Sequence, residues 1–156
     1  MATSPEARLK ELNITLPAPN RPMAKYKMAV RVGDMLYVSG HGPYKATPTT
    51  PVTGRCGADL TAEQGKESAR SVGLAILATV RDQLGSLDKV KRLVKTLGMV
   101  NSTPDFKDHP AVINGFSELM AEVFGEGAGV GARSAVGMGA LPSNIAVEIE
   151  AIFEVS

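Results

Sequence analysis

Arg133 is the residue whose type and surroundings most clearly indicate chemistry in this sequence. It is the only charged side chain between Gly127 and Val147, and its neighbours are mostly small or apolar. Small neighbours let a ligand come close, and the planar guanidinium presents paired donors that suit a carboxylate or a phosphate. The sequence therefore predicts an anion-binding arginine. The alternative is an ordinary exposed arginine close to surface acids.

Two glutamates near the C-terminus are the acids that could act with this arginine. Side chains alternate between the two faces of a strand. A strand over residues 133–140 would place Arg133 on one face, and a closing strand over residues 145–153 would place Glu148 and Glu150 opposite its apolar residues. We therefore expect Arg133 and both glutamates on the non-core faces of two strands of one sheet. The core-facing residues of the first strand would be Ser134, Val136, Met138 and Ala140.

Length and composition limit the class of protein. The 156 residues, 44% of them hydrophobic, fit a single domain over residues 1–156, with residues 1–20 as an N-terminal arm. A net charge of +1 without a basic cluster disfavours nucleic acid as a partner. The sequence shows no secretory segment and no apolar run of about 18 residues, so we expect a cytoplasmic protein without a membrane partner. The lone Cys56 excludes an internal disulfide, and no metal-ligand spacing is present.

The periodicities predict two helices and a sheet. A hairpin is expected over residues 26–39 with its turn at Gly33 and Asp34. A loop over residues 42–58, either irregular throughout or with one short edge strand, would follow and form a lid or pocket wall. Thr61 and Gln64 have the spacing of a capping box, which predicts a helix that ends at Gly85. A strand over residues 90–100, a helix that begins after Asp108 and two final strands complete the chain.

This order predicts an α+β fold in which both long helices cover one face of a single sheet. The other face would remain uncovered in a chain of this size. We therefore expect a closed homo-oligomer with ligand sites where subunits meet.

Several motifs together resemble those of the Rid (reactive intermediate deaminase) family, also called the YjgF or L-PSP endoribonuclease family. The resemblance extends over about residues 21–155. Its motifs are the segment from Tyr26 to Gly40, the surroundings of Asn114, Ala132-Arg133-Ser134 with Leu141-Pro142, and the stretch from Val147 to Ala151. The resemblance implies a chorismate-mutase-like fold with one mostly antiparallel sheet, a barrel-forming homotrimer, and clefts between subunits. It also implies hydrolysis of reactive enamines and imines to 2-oxo acids and ammonia, without a cofactor.

The resemblance also implies roles for individual residues. Arg133 would hold the carboxylate of a small ligand, and Glu148 would act near the attacking water. Tyr26, Gly40 and Asn114 would line the cleft as substrate-binding residues; the alternatives are packing at an interface for Tyr26 and a contact that holds the backbone for Asn114. Two departures concern the pocket: His41 follows Gly40 where glutamine is frequent, and Ala135 occupies a position that is often cysteine. His41 is therefore interpreted either as a polar pocket contact or as a loop histidine.

Three functions follow from these residues. The first is an imine and enamine deaminase, which uses Arg133 and Glu148 together. The second is a non-enzymatic regulatory protein that binds small carboxylates through Arg133 alone. The third is the endoribonuclease or translation inhibitor of the family name, which the balanced charge and the 4% aromatic content disfavour.

Overall fold

The structure is a computed structural model that describes residues 3–156. Its elements include four helices and five strands. In chain order they are α1 (Pro5–Glu11), β1 (Ala29–Val32), β2 (Met35–His41), α2 (Ala62–Leu84), β3 (Val90–Asn101), α3 (His109–Phe124), α4 (Glu126–Gly129), β4 (Ala132–Met138) and β5 (Val147–Val155). Short 3₁₀ turns cover Leu87–Lys89 and Pro142–Asn144. The strands form one sheet in the order β1-β2-β5-β3-β4.

Local signals explain the hairpin and the long helix α2. Gly33 turns the chain between β1 and β2 with a φ of 59°, a conformation that glycine adopts without steric cost. At the start of α2, Thr61 and Gln64 form the reciprocal hydrogen bonds of a capping box, at 2.9 and 3.2 Å. Gly85 ends the helix in the left-handed conformation. The predicted hairpin and the predicted limits of α2 are confirmed.

The sheet is mixed, and helices α2 and α3 pack on one of its faces. β4 lies parallel to β3 because α3 returns the chain to the same end, whereas the other neighbouring strands are antiparallel. The main core fills the space between the helices and the sheet, and includes Ile76, Phe116, Leu119, Ile149 and Phe153. The predicted α+β architecture, with a predominantly antiparallel sheet covered on one face, is confirmed.

The prediction of which side of β4 faces the core is wrong. Thr96 of β3 is buried under the helices, and the parallel register pairs it with Arg133, so both lie on the helix-facing side. Gly137 is on that side too, because a Cβ there would meet the ring of His109 at the start of α3. A glycine is needed at this point, where the start of α3 lies close to the edge strand. Ser134, Val136 and Met138, which were predicted as core, therefore lie on the uncovered face, where Val136 is 38% exposed, and Ala140 lies beyond the end of β4.

Two segments outside the sheet are anchored to the helices. In α1, Leu9 is buried and Glu6 accepts a hydrogen bond from the backbone of Leu87 at 3.0 Å. The loop over residues 42–58 lies along α2, where the Ser68 hydroxyl donates to the carbonyl of Pro51 at 2.6 Å. The loop contains isolated bridges rather than an edge strand. It is therefore packed against α2 rather than arranged as a free lid.

Candidate functional site

Arg133, Asn114 and Ser117 form a cluster that we call the arginine half-site. Arg133 Nη1 donates to Asn114 Oδ1 at 2.8 Å and to Ser117 Oγ at 3.2 Å. Both acceptors are on α3 three residues apart, and therefore on the same side of the helix. Their side chains accept hydrogen bonds from one nitrogen of the guanidinium. Within residues 3–156, no acidic side chain forms a salt bridge with Arg133. The charge is oriented by neutral acceptors and remains available to an anion.

The surroundings of Arg133 leave space for a small ligand. A cavity of about 140 Å³ is lined by Arg133, Ser117, Thr96 and Gly131, among others. A Cβ at Gly131 would come within 2.7 Å of the carbonyl oxygen of Leu93, so glycine lets β3 and the segment before β4 approach each other. The arrangement is suited to binding a carboxylate with the guanidinium on one wall.

Glu148, Gly40 and Tyr26 form a second cluster, which we call the carboxylate half-site. They line a cleft of about 410 Å³ together with residues of the N-terminal segment and of the turn before β5. Glu148 projects from β5 across β2, and a Cβ at Gly40 would overlap its carboxylate. Gly40 therefore makes room for the position that the Glu148 carboxylate occupies.

The carboxyl group of Glu148 is in an environment that favours its protonated form. Partial burial raises its pKa above the usual value, and the nearby charge of Glu150 raises this pKa further. A carboxyl group whose pKa is raised toward neutral pH is a more effective general acid and base near that pH. Glu148 is therefore suited to exchange a proton with a ligand or a water molecule in the cleft.

His41 also lines the cleft of the carboxylate half-site, and both nitrogens of its ring have hydrogen-bond partners within the chain. The residue is 1% exposed. Its Nδ1 lies 2.6 Å from the carbonyl oxygen of Ser39, and its Nε2 lies 2.8 Å from Thr79 Oγ1 on α2. Burial lowers the pKa of the His41 imidazole, with the Ser39 carbonyl acting in the opposite direction. The ring thus joins β2 to α2 as a neutral, fully hydrogen-bonded group.

Within one chain, the two half-sites do not meet. Glu148 pairs with Met99 of β3, whereas Arg133 pairs with Thr96 on the other side of that strand. β3 therefore lies between them. Arg133 also faces the helices, whereas Glu148 faces the uncovered side of the sheet. The expectation that both occupy non-core faces is wrong for Arg133. The two groups could act on one ligand only if a second copy of the chain brought its half-site close.

Sequence reasoning did not identify Ser117, Asn20 or Arg21 as site residues. Ser117 was detectable only by its spacing of three residues from Asn114 on a helix. Asn20 and Arg21 line the cleft of the carboxylate half-site. Their signal is a polar pair between Pro19 and Pro22, in a proline-rich segment whose local pattern predicts only an extended or irregular backbone.

Metal binding requires grouped ligand side chains, and membrane crossing by a helix requires a long apolar helix. Among residues 3–156, no three His, Cys, Asp or Glu side chains are arranged to hold a metal ion. Over the same range, no helix has the length and apolar character needed to cross a bilayer.

Comparisons with known proteins agree on one family. The family model described as "YjgF/chorismate mutase-like, putative endoribonuclease" matches residues 6–152. The chain is 42% identical over 150 residues to Protein TCP17 of Trypanosoma cruzi, with 96% of this chain and 93% of that protein covered. It is 30% identical over 139 residues to the 2-iminobutanoate/2-iminopropanoate deaminase of Dermatophagoides farinae, with 89% and 92% covered.

A solved structure shows the same fold. The protein Atu1372 of Agrobacterium tumefaciens, whose function is unknown, superposes with a TM-score of 0.87 at 42% identity, with 97% of this chain and 92% of that chain covered.

Proposed function

The chain belongs to the YjgF (Rid) family, and on that premise we propose that it hydrolyses reactive imines and enamines of amino acids to 2-oxo acids and ammonia. The observation that carries the proposal is the Arg133 guanidinium, which is oriented by Asn114 and Ser117 and has no acidic partner among residues 3–156. Imines derived from amino acids carry a carboxylate next to the reacting carbon, and this is the group that such an arginine binds. The deaminase from Dermatophagoides farinae supports the same reaction class.

The reaction needs little beyond positioning and one proton acceptor. Arg133 holds the substrate carboxylate and thereby fixes the adjacent C=N carbon. Water adds to that carbon, a C–O bond forms, and the electron pair of the C=N bond moves to nitrogen. Glu148 accepts a proton from the water and delivers it to the nitrogen, which gives a carbinolamine. The hydroxyl proton of the carbinolamine then passes to the nitrogen by way of the same carboxylate, the C=O bond forms as the C–N bond breaks, and ammonia leaves. Orientation of the reactants and general acid–base catalysis supply the rate enhancement.

The raised pKa of Glu148 fits this role. Its carboxyl group must be ionised when it accepts the proton and protonated when it donates one. A carboxyl group with a pKa nearer to neutral pH performs both steps more readily than one with the usual pKa.

We propose that the active site forms between neighbouring subunits of a homotrimer. Arg133 and Glu148 are separated by β3 within one chain, so a complete site requires the arginine half-site of one copy and the carboxylate half-site of another. The uncovered face of the sheet supports self-association. It exposes large apolar side chains, with Val30 and Tyr37 each 46% exposed and Val136 38% exposed. Exposed apolar surface of this kind is typical of an interaction site.

The test is the release of 2-oxo acid from imines generated in situ, with and without the protein. Wild type should accelerate the release and Arg133→Ala should abolish the acceleration. Arg70→Ala is the matched control, because Arg70 pairs with Glu122 on the helices, away from both half-sites. Its activity should equal that of wild type.

Glu148→Gln separates catalysis from binding. The deaminase proposal predicts that this variant still binds a small carboxylate but no longer releases 2-oxo acid. If wild type binds carboxylates through Arg133 but accelerates no imine hydrolysis, the protein is a carboxylate-binding protein and the proposal is wrong.

A further inference from the structure

Arg21 is a second arginine at the carboxylate half-site, and the reaction proposed above gives it no role. It lines the same cleft of about 410 Å³ as Tyr26, Gly40 and Glu148. Arg21 is exposed, so its guanidinium is accessible to a ligand that enters the cleft.

The backbone around Arg21 is stiffened by two prolines. Pro19 has a fixed φ, and Pro22 restricts the preceding Arg21 to extended conformations. The segment has no helix or strand of its own. A residue held in this way loses less backbone freedom when it binds a ligand than a residue on a flexible loop. The arginine is therefore presented at the rim of the cleft on a stiffened segment.

The charge of Arg21 is not used within the described chain. Among residues 3–156 it takes part in none of the salt bridges, neither with Glu148 in the same cleft nor with Asp82 in the adjoining one. An unpaired guanidinium in the same cleft as a candidate catalytic carboxylate adds a positive site there, separate from the positive site at Arg133.

We propose that Arg21 binds a second carboxylate of the substrate, so that the preferred substrates are imines of dicarboxylic amino acids. This inference rests on the proposed function, in which Arg133 already holds the carboxylate next to the C=N carbon. A second arginine at the cleft then selects for a substrate that is anionic at its other end. The planar guanidinium favours a carboxylate there because it can form two parallel hydrogen bonds with its oxygens.

Two substrates that differ in one group provide the test. 2-Iminosuccinate and 2-iminobutanoate have the same four-carbon chain, but the first ends in a carboxylate and the second in a methyl group. Wild type should hydrolyse the iminosuccinate with the higher kcat/KM. Arg21→Ala should lower kcat/KM for iminosuccinate by about 10- to 100-fold, the loss expected for a hydrogen bond between charged groups, and leave iminobutanoate within about twofold.

Further variants distinguish recognition of the second carboxylate by Arg21 from a structural role of this residue. Arg21→Lys should recover part of the lost activity with iminosuccinate, because it keeps the charge. Asp82→Asn and Arg70→Ala should leave the ratio of the two kcat/KM values unchanged. An equal loss for both substrates, or no loss in Arg21→Ala, would overturn the assignment.

A measurement of carboxylate binding tests the role of Arg21 even if the protein does not hydrolyse imines. If wild type hydrolyses neither imine, the proposed function fails, and calorimetry with succinate and butyrate still tests Arg21. Tighter binding of succinate than of butyrate, lost in Arg21→Ala, would support the second carboxylate site. Equal binding of the two acids by wild type would contradict it.

Discussion

Replacement of Gly40 by alanine is the perturbation that most specifically tests the position of Glu148. The new Cβ would lie 3.1 Å from Glu148 Cδ and 3.3 Å from Cγ, and it would overlap Oε1. The carboxylate must therefore move by roughly 1 Å to reach an ordinary carbon–oxygen separation of about 3.3 Å. The end of a side chain can make this movement while the backbone of β2 and β5 stays in place.

The expected effect is large on catalysis and small on stability. A displacement of about 1 Å in a catalytic group can reduce the rate by about 100-fold. Rotation of the Glu148 side chain away from its preferred rotamer costs about 0.5–1.5 kcal/mol. In a domain of this size, that cost lowers Tm by about 1–6 °C.

The assay is kcat for 2-oxo acid release, measured together with Tm. Gly139→Ala is the matched control, because a Cβ at Gly139 meets no atom within 4 Å. Activity of Gly40→Ala within about twofold of wild type would show that the position of the Glu148 carboxylate does not limit catalysis. An equal loss of activity in Gly139→Ala would show the same.

Three other results are expected. Burial raises the pKa of Glu148 in the folded protein above its value in the unfolded chain. Ionisation of Glu148 therefore destabilises the folded protein more and more as the pH rises from the pKa in the unfolded chain through the pKa in the folded protein. Glu148→Gln should raise Tm at pH 7 but not near pH 3.5 in thermal melts. Arg133→Lys keeps the charge but loses the planar fork, and its kcat/KM should fall by about 10- to 100-fold; an unchanged value would exclude two-pronged binding. Val136→Asp places a charge on the uncovered sheet face, and light scattering should show a shift from trimer to monomer; an unchanged mass would remove this face from the interface.

The elements with strong local signals could be predicted from the sequence. The capping box of Thr61 and Gln64 and the left-handed Gly85 act within a few residues, so they determine the limits of α2 without tertiary information. The turn at Gly33 likewise sets the register of the hairpin from β1 to β2. These features, together with the helical spacing of apolar residues in α2 and α3, were sufficient to predict the α+β arrangement.

Which side chains of β2 and β4 face the helices depends on tertiary contacts, so the alternation of side chains along a strand was not sufficient to predict it. On β2, the register shifts between Val38 and His41, so His41 points into the core and Gly40 is free to face Glu148. On β4, the start of α3 lies so close that only a glycine fits at position 137 on the helix-facing side, and Val136 lies on the uncovered face. Alternation therefore assigned Arg133, the predicted anion-binding residue, to the wrong side of the sheet.

In the proposed active site, Arg133 of one subunit and Glu148 of a neighbour act on the same imine. Co-expression of Arg133→Ala chains with Glu148→Gln chains, each inactive alone, tests whether two subunits share the site. Random assembly into trimers should recover about a quarter of the wild-type clefts, because one cleft in four then combines an intact arginine with an intact glutamate. We predict 2-oxo acid release at about a quarter of the wild-type rate. Mixed trimers that remain as inactive as either variant alone would contradict a site shared between subunits.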